Sequence, residues 1–437
     1  MTVVVLGGGN AAGYAAREYV ASGGKPGELK IIGEEGVVSY ERPALSKGFL
    51  LGAAKLPGFH TCVGGGGERQ EPSWYADKGI EFRTGAKVTA ADLKAKKLTL
   101  EGGEVVSFSK LIIATGARVV KLTEFKVPGA DLSGIHYLRN VKDGEAMLAA
   151  MAQAKEHGQK VVVVGGGYIG MECAAGLVSS GIKSVTMVFP EPGLLGRLLT
   201  PELAGVYERL YQEKGVTCVK GAKVTGFTGA DGKVAGVQYT DASGATHTAE
   251  ASLVVVGVGA RANAELFAGQ VEMAAGGIKV DGQMATSVPD VYAVGDVAAF
   301  PLKSVATGEV AHARQEHVTH CRMSAAQAIK AALGLAPPPY DYLPYFYSRI
   351  FNLAWVFYGE AAPGATVVHF GDTKEAKCFG ALWVSADGHL VGAFLEGGSP
   401  EDPAVLKAAV ASKAKVDAAK LDASSGAAVI AALKAAH

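Results

Sequence analysis

The chain opens with MTVVVLGGGNAAGYAARE (residues 1–18), and VVVVGGGYIGMECAA follows at 161–175. Each stretch is an apolar strand, a glycine turn and the start of a helix of small residues. In the first, Gly7 permits a tight turn, Gly9 lets backbone approach a pyrophosphate, and Ala12 lets helix pack on strand. The helix N-terminus then offers free N–H groups to phosphates. In the second, Gly165, Gly167 and Gly170 take the same three places. The strand after each loop leads to an acid, Glu35 in one case and Glu191 in the other. A carboxylate there accepts hydrogen bonds from ribose hydroxyls and repels a 2′-phosphate. The second loop therefore favours NADH over NADPH, a preference that nearby Arg197 softens. The bland alternatives are a packing turn without ligand and, for Glu191, a solvated loop acid.

Composition narrows the class. Of 437 residues, 49% are hydrophobic and 19% charged, and the formal net charge is zero. That supplies a large core, about three domains by length, and no basic excess of the kind nucleic-acid binders carry. Cys62, Cys173, Cys218, Cys321 and Cys378 are scattered, with no C-x-x-C and no metal-ligand spacing. Such usage suits a reducing compartment. No apolar run approaches the ~20 residues of a membrane span. The first strand begins at Thr2, and the terminal AALKAAH carries no targeting tripeptide, so a cytoplasmic protein is expected.

Strand and helix signals alternate from 2 to about 120, which reads as βαβ units on a parallel sheet. LIIATGARVV (111–120) is a buried strand ending in the Thr115-Gly116 turn, and a helix is expected near 143–156. A second α/β block runs from Gln159, and VPDVYAVGDVAAF (288–300) restores a strand before a Gly-Asp turn. From about 340 aromatic and β-branched runs flank Asp387-Gly388, a hairpin signal. The Ala/Lys-rich tail from Ala404 reads as helix over that sheet, fraying at its end. The expected boundaries are 1–120 and 287–325 for the first nucleotide domain, 121–158 for a connector, 159–286 for the second nucleotide domain, and 326–437 for a C-terminal α+β domain.

Two loops can hold two nicotinamides, or a flavin and a nicotinamide. Segment order favours the second option. The first block resumes after the second, and Asp296 then follows a strand and Gly295, where a carboxylate suits a ribityl hydroxyl. A plain dehydrogenase has no use for that third element. One loop would hold a flavin, and the other would admit a nicotinamide that feeds it hydride.

With Gly7/Gly9, ATG (114–116), Gly165/Gly167/Gly170 and VYAVGD (291–296) in that order, the chain resembles the flavin disulfide reductase superfamily. More narrowly, it is similar to plant-type monodehydroascorbate reductases from residue 2 to about 402. The specific stretches are YERPALSKGFL (40–50), LPGFHTCVGGGGERQEPSWY (56–75), MVFPEP (187–192), EHVTHCR (316–322), DYLPYFYSR (341–349) and FLEGGSPE (394–401). EHVTHCR departs from the family's EHVDHAR at Thr319 and Cys321.

The resemblance implies α/β architecture: two Rossmann-like dinucleotide-binding domains, the FAD domain interrupted by the NAD domain, plus a C-terminal domain with an antiparallel sheet. It implies FAD held by Gly8, Gly9, Asn10 and Ala11, by Glu35 on ribose, and by Arg42 and Lys47. Val88 would touch adenine, with Thr115, Gly116 and Arg139 nearby and Asp296, Val318 and Tyr347 completing the site. The family's acid after Arg139 is Asn140 here. The nicotinamide side would take Gly167, Tyr168, Ile169, Gly170, Met171, Glu172, Cys173, Glu191, Arg197, Gly259, Glu316 and His317. Arg322 and Arg349 match the family's substrate arginines.

ERPALSK has no cysteine where thiol-disulfide reductases keep one, so electrons are expected to leave the flavin directly. Cys62 is the other redox candidate in this half; its alternative is an ordinary thiol. Arg322 and Arg349 would offer N–H donors and positive potential to the ascorbate radical, a small anion. Tyr347, on the same strand face as Arg349, would cover the isoalloxazine. The alternatives are a helix salt bridge for Arg322 and plain packing for Tyr347. Glu316 and His317 read as nicotinamide-positioning groups, and no metal site is expected. The leading reading is NADH oxidation coupled through FAD to one-electron reduction of monodehydroascorbate. The others are an NADH:ferredoxin or rubredoxin reductase, and a flavoprotein that binds NADH to recruit partners. All proposed groups lie on one chain, which is compatible with a monomer.

Overall fold

The computed structural model describes residues 1–54 and 68–436; Cys62 lies outside the described residues. Two five-stranded parallel sheets form its frame. The first runs Val291–Ala293, Lys110–Ile113, Val3–Leu6, Leu29–Ile32, Glu81–Arg83 in spatial order. The second runs Val216–Lys220, Val185–Phe189, Val161–Val164, Leu253–Val256, Ile135–His136. The central strands Val3–Leu6 and Val161–Val164 are buried at every position, which is why they read as unbroken apolar runs rather than alternating ones. The helices Asn10–Ala21 and Tyr168–Ser179 start directly behind them.

The alternation expected from 2 to 120 holds only in part. Between Glu81–Arg83 and Lys110–Ile113 the chain makes an antiparallel ribbon, Val88–Asp92, Lys97–Leu100 and Val105–Ser107, in place of a crossover helix. Its middle strand alternates exposed and buried residues with period two, and no helix can use that pattern. The second unit carries a matching ribbon, Lys223–Ala230, Lys233–Thr240 and Thr246–Glu250. Asp231 and Gly232, both at positive φ, turn its first hairpin.

Sheet membership also departs from the sequence boundaries. Ile135–His136 pairs with Leu253–Val256 of the second sheet, and Met147, Met151 and Ala154 of the helix Val141–Glu156 share that unit's core. Ala262, Phe267, Ile278 and Met284 pack instead in the core of the first unit. The strand Ala260–Ala262 pairs antiparallel with Ala117–Val119, so the two links between the units run side by side.

The C-terminal unit is a five-stranded antiparallel sheet ordered Tyr345–Ile350, Leu353–Gly359, Leu390–Glu396, Lys377–Val384, Thr366–Asp372. Two helices cover it, Asp402–Ala411 and Gly426–Ala435. The first ends where Lys413 enters the left-handed region, and Ser425 caps the second through the Ala428 N–H. Leu406, Val410, Val429 and Leu433 bury one face of each against the sheet.

One core is continuous across the second and third units. Tyr207 and Tyr211, on the helix Pro201–Glu213, lie in the same cluster as Trp355, Phe379 and Phe394 of the antiparallel sheet. Buried there, Glu396 accepts from Tyr207 Oη at 2.9 Å and from the Ala354 N–H at 2.7 Å. Burial raises its pKa above the usual carboxyl range, against the hydrogen bonds that lower it. The folded protein therefore binds this proton more tightly than the unfolded chain. Stability from the group is full below the ordinary carboxyl pKa and falls as pH climbs through the raised one. Urea midpoints of the wild type should drop across that window, and Glu396→Gln, which cannot ionise, should flatten the drop.

Candidate functional site

At the C-terminal end of each parallel sheet, a glycine loop turns into a helix. Gly7 has φ +124°, and a Cβ there would lie 2.1 Å from the Ala114 carbonyl oxygen. Gly165 has φ +115°, and its Cβ would lie 2.3 Å from the Gly257 oxygen. Only glycine lets these strands sit so close at that backbone angle. Gly170 is equally confined, 2.0 Å from the Gly165 oxygen. Ala12, its counterpart in the first loop, is fully buried.

The helix starts differ from most others in the molecule. Asn140, Thr200, His317 and Ser425 each cap a helix with a side chain. Gly9 and Gly167 cap the two loop helices with none. Their first N–H groups thus point outward with the positive helix end, a cradle that fits a pyrophosphate. Asn140, at the place of the family's acid, is spent on capping: it accepts from the Asp143 N–H at 2.9 Å.

The first loop gathers most of the residues named for it. Arg42 lies against Gly9, within 3.3 Å of a Cβ placed there. It pairs with Glu35 at 2.6 Å, and Tyr40 donates to the same carboxylate at 2.7 Å. Arg42 also donates to the backbone oxygen of Arg139, whose guanidinium pairs with Asp296 at 3.2 Å and flanks Gly116. The Glu35 carbonyl accepts from the Gly85 N–H at 2.8 Å, which brings the segment of buried Val88 alongside. Thr115 is committed to the fold: its hydroxyl donates to the Asn263 oxygen at 2.7 Å. Val318 begins the helix Val318–Ala332, which packs beside Asp296 through Cys321, 3.4 Å from that carboxylate. This polar ring, with both signs of charge and a glycine floor, fits the ribose, pyrophosphate and ribityl groups of a flavin dinucleotide.

Around the second loop, the Leu195 N–H donates to the Gly166 oxygen at 2.9 Å, and this holds the segment of Glu191 and Arg197 beside the glycines. Neither Glu191 nor exposed Arg197 has an ion-pair partner among the described residues. Gly259, at φ +119°, has open space at its Cβ position. Tyr168, Ile169, Met171 and Cys173 lie on the helix behind, with Met171 and Cys173 fully buried.

Glu172 joins everything. Though it is 6% exposed, Lys47 pairs with it at 2.8 Å, Ser348 donates to it at 2.6 Å, and Ser46 donates to it as well. Lys47 and Ser46 come from the first unit, Glu172 from the second, and Ser348 from the third. Sequence reasoning named Glu172 and Lys47 separately and missed the serines, which carry no local signature. It also missed Glu41, a buried acid beside the first loop that accepts from Asn10 at 2.9 Å and Tyr14 at 2.7 Å.

Ser348 sits between Tyr347 and Arg349 on the strand Tyr345–Ile350. His317 stands edge-on to Tyr347, with ring centroids 4.9 Å apart. Burial pushes the His317 pKa down to about 4 and that of Tyr347 up to about 12, so both are neutral near pH 7. Glu316 pairs with Arg314 at 2.8 Å, and burial raises its pKa against that partner. Arg322 and Arg349 are exposed, and neither has an ion-pair partner among the described residues, so the helix salt bridge considered for Arg322 is absent there. Arg322 acts electrostatically on Tyr345 and Tyr347.

The described thiols carry no activation. Burial pushes Cys173 and Cys321 up, and Cys218 up to about 11. A thiol so protonated is a poor nucleophile.

Glycine substitutions separate folding from binding. Gly7→Ala should cost about 1–3 kcal/mol or more through backbone strain alone, with overlap on Ala114 in addition. Gly167, at φ −84° with nothing within 4 Å of a Cβ, has no such conflict. Gly167→Ala should stay within about 1 kcal/mol of wild type yet weaken pyridine dinucleotide binding, as thermal melts and titration calorimetry would read.

Residues 1–328 match the pyridine nucleotide-disulphide oxidoreductase family, and 343–429 match the monodehydroascorbate reductase 3-like C-terminal domain. A protein from Solanum lycopersicum named monodehydroascorbate reductase is 51% identical over 94% of both chains. One of the same name from Pisum sativum is 49% identical over 96% of both. A ferredoxin reductase structure from Rhodopseudomonas palustris superposes with a TM-score of 0.85 at 28% identity over 100% of both chains. The reductase in a covalent putidaredoxin reductase–putidaredoxin complex gives 0.84 at 25% identity over 99% of both. The chain therefore belongs to the pyridine nucleotide-disulphide oxidoreductase family, as an oxidoreductase that works with a flavin and a pyridine nucleotide.

Proposed function

We propose that the protein is an NADH-dependent monodehydroascorbate reductase carrying FAD. The observation that carries this reading is the Glu172 junction, which ties the pyridine-nucleotide loop to the strand of Tyr347 and Arg349 within one hydrogen-bonded group. Names of relatives at about half identity over nearly the whole chain support it.

When bound, FAD supplies the ability to take two electrons as hydride and release them singly. The chain's residues do the rest. The N–H groups after Gly9, with Arg42, Glu35, Arg139 and Asp296, would hold the dinucleotide. Gly167 and the helix behind it would hold NADH, with Glu191 accepting from both ribose hydroxyls. Lys47 and Glu172 neutralise each other where the units meet and so keep charge buried at low cost. Arg322 and Arg349, without ion-pair partners among the described residues, would draw in a small anion and orient it by paired N–H donors. His317 is neutral and serves position rather than proton transfer. The balance is one NADH, one proton and two radical anions giving NAD⁺ and two ascorbate monoanions.

The described cysteines are all free, which suits a cytosolic setting; among relatives some are named cytosolic and others peroxisomal. No helix among the described residues is long and apolar enough to cross a membrane. Every proposed group lies on one chain, in keeping with a working monomer. The likeness to a ferredoxin reductase favours a protein acceptor as the second reading. Turnover with such a partner would fall steeply with ionic strength.

Arg322→Ala and Arg349→Ala should each raise KM for the radical about tenfold, the worth of one charge-assisted hydrogen bond. Flavin reduction by NADH, followed by stopped-flow absorbance, should keep its rate. Unchanged radical reduction in both variants would remove the two arginines from the site.

A further inference from the structure

We propose that Arg314 is a positioning residue whose guanidinium holds the Asp296 turn and Glu316 in one frame, so that a single group sets the flavin side of the site against the nicotinamide side. The proposal rests on the roles read above for Asp296 and Glu316.

Asp296 stands at a joint. It lies in the short turn Gly295–Val297, between Val291–Ala293 of the first parallel sheet and the strand Ala298–Lys303. That second strand belongs to a separate four-stranded sheet, ordered Met273–Ala274, Gly277–Lys279, Ala298–Lys303, Val310–Ala313. Gly295 takes φ +68°, and its N–H donates to Ser324 Oγ at 3.0 Å. The Asp296 carboxylate meets Arg139 at 3.2 Å and the Cys321 thiol at 3.4 Å. Its backbone carbonyl is left for another donor.

Arg314 supplies that donor. It follows Val310–Ala313, an edge strand of the four-stranded sheet. Its Nη1 donates to the Asp296 carbonyl at 2.8 Å and pairs with Glu316 Oε1 at 2.8 Å, one proton for each. Its Nε donates at 3.1 Å to the carbonyl of Ala275, in the turn at the opposite edge of the sheet. The stem needs room to cross, and Gly277 leaves it: a Cβ there would lie 2.5 Å from Arg314 Cδ. The side chain is 17% exposed, so these bonds form away from bulk water, where they are stronger.

The arrangement demands a fork. Two nitrogens of one plane face acceptors on three segments of the chain. A lysine ammonium has the same charge but one nitrogen, and it cannot serve Ala275, Asp296 and Glu316 together. An ordinary ion pair with Glu316 would need neither the two carbonyls nor the glycine beneath the stem.

Binding tests this without any radical. Arg314→Lys keeps the charge and most of the stem, so a role in packing or net charge alone predicts no change. The FAD dissociation constant, read by flavin fluorescence as the loaded protein is diluted, should instead rise about tenfold, the worth of one charge-assisted hydrogen bond. NAD⁺ binding to the flavin-loaded variant, read by titration calorimetry, should weaken about fivefold, as Glu316 loses its anchor. Arg314→Ala should show both losses, and ethylguanidinium should restore its FAD affinity where ethylammonium does not. Wild-type FAD affinity in Arg314→Lys, NAD⁺ affinity untouched while FAD weakens, or equal rescue by the two cations would overturn the proposal. Should Arg314→Ala not fold, the lysine variant decides alone. Neither titration involves an electron acceptor, so a wild type that binds both nucleotides yet reduces no radical would count against the function and not against Arg314.

Discussion

A buried carboxylate without partners is among the costliest things a fold can contain. Glu172 escapes that cost only when Lys47, Ser46 and Ser348 all reach it. Those partners come from three structural units, so satisfying one side chain fixes how the units meet. Removing Lys47 leaves charge uncompensated, a penalty several times that of an ordinary surface contact, and removing either serine leaves a buried carboxylate oxygen short of a donor. The junction therefore acts as a register pin for both glycine loops and for the edge strand beside them.

Placement of the pin explains the division of labour. On one side lies the helix behind Gly167, which in the proposed function would address the pyridine nucleotide. On the other, Ser348 is flanked by Tyr347 and Arg349. Both rings nearest this strand, His317 and Tyr347, are held neutral by burial. The positive charge available to an anion then comes from arginines without ion-pair partners among the described residues, at the exposed face. Thiols whose pKa is pushed up by burial offer no competing path. An arrangement with two substrate approaches and no activated sulfur among the described residues suits direct one-electron delivery.

Much of this was legible in the sequence because it is written locally. Buried parallel strands show as unbroken apolar runs, and Gly7 and Gly165 announce their turns because no other residue tolerates that geometry. Asp296 could be read from its place after Gly295. The antiparallel ribbons were missed because short alternating strands look like irregular crossovers until their partners are known. Residues 135–136 and 260–284 sit differently from the expected boundaries for a related reason: the first pairs with Val254–Val255, more than a hundred residues on, and within the second Ile278 pairs with Ala298, beyond the boundary drawn at 286. Ser46 and Ser348 carry nothing in their neighbours that signals a role; only the folded distances do.

The central claim is that electrons pass from flavin to a diffusing radical with no sulfur between. The direct measurement is anaerobic rapid mixing. Protein reduced with one equivalent of NADH, in a variant with Cys62 replaced by serine and the remaining accessible thiols alkylated, meets enzymically generated monodehydroascorbate. The account predicts reoxidation at the wild-type rate with two radicals consumed per NADH. A reduced flavin that persists in that variant while the untreated protein reoxidises would contradict it.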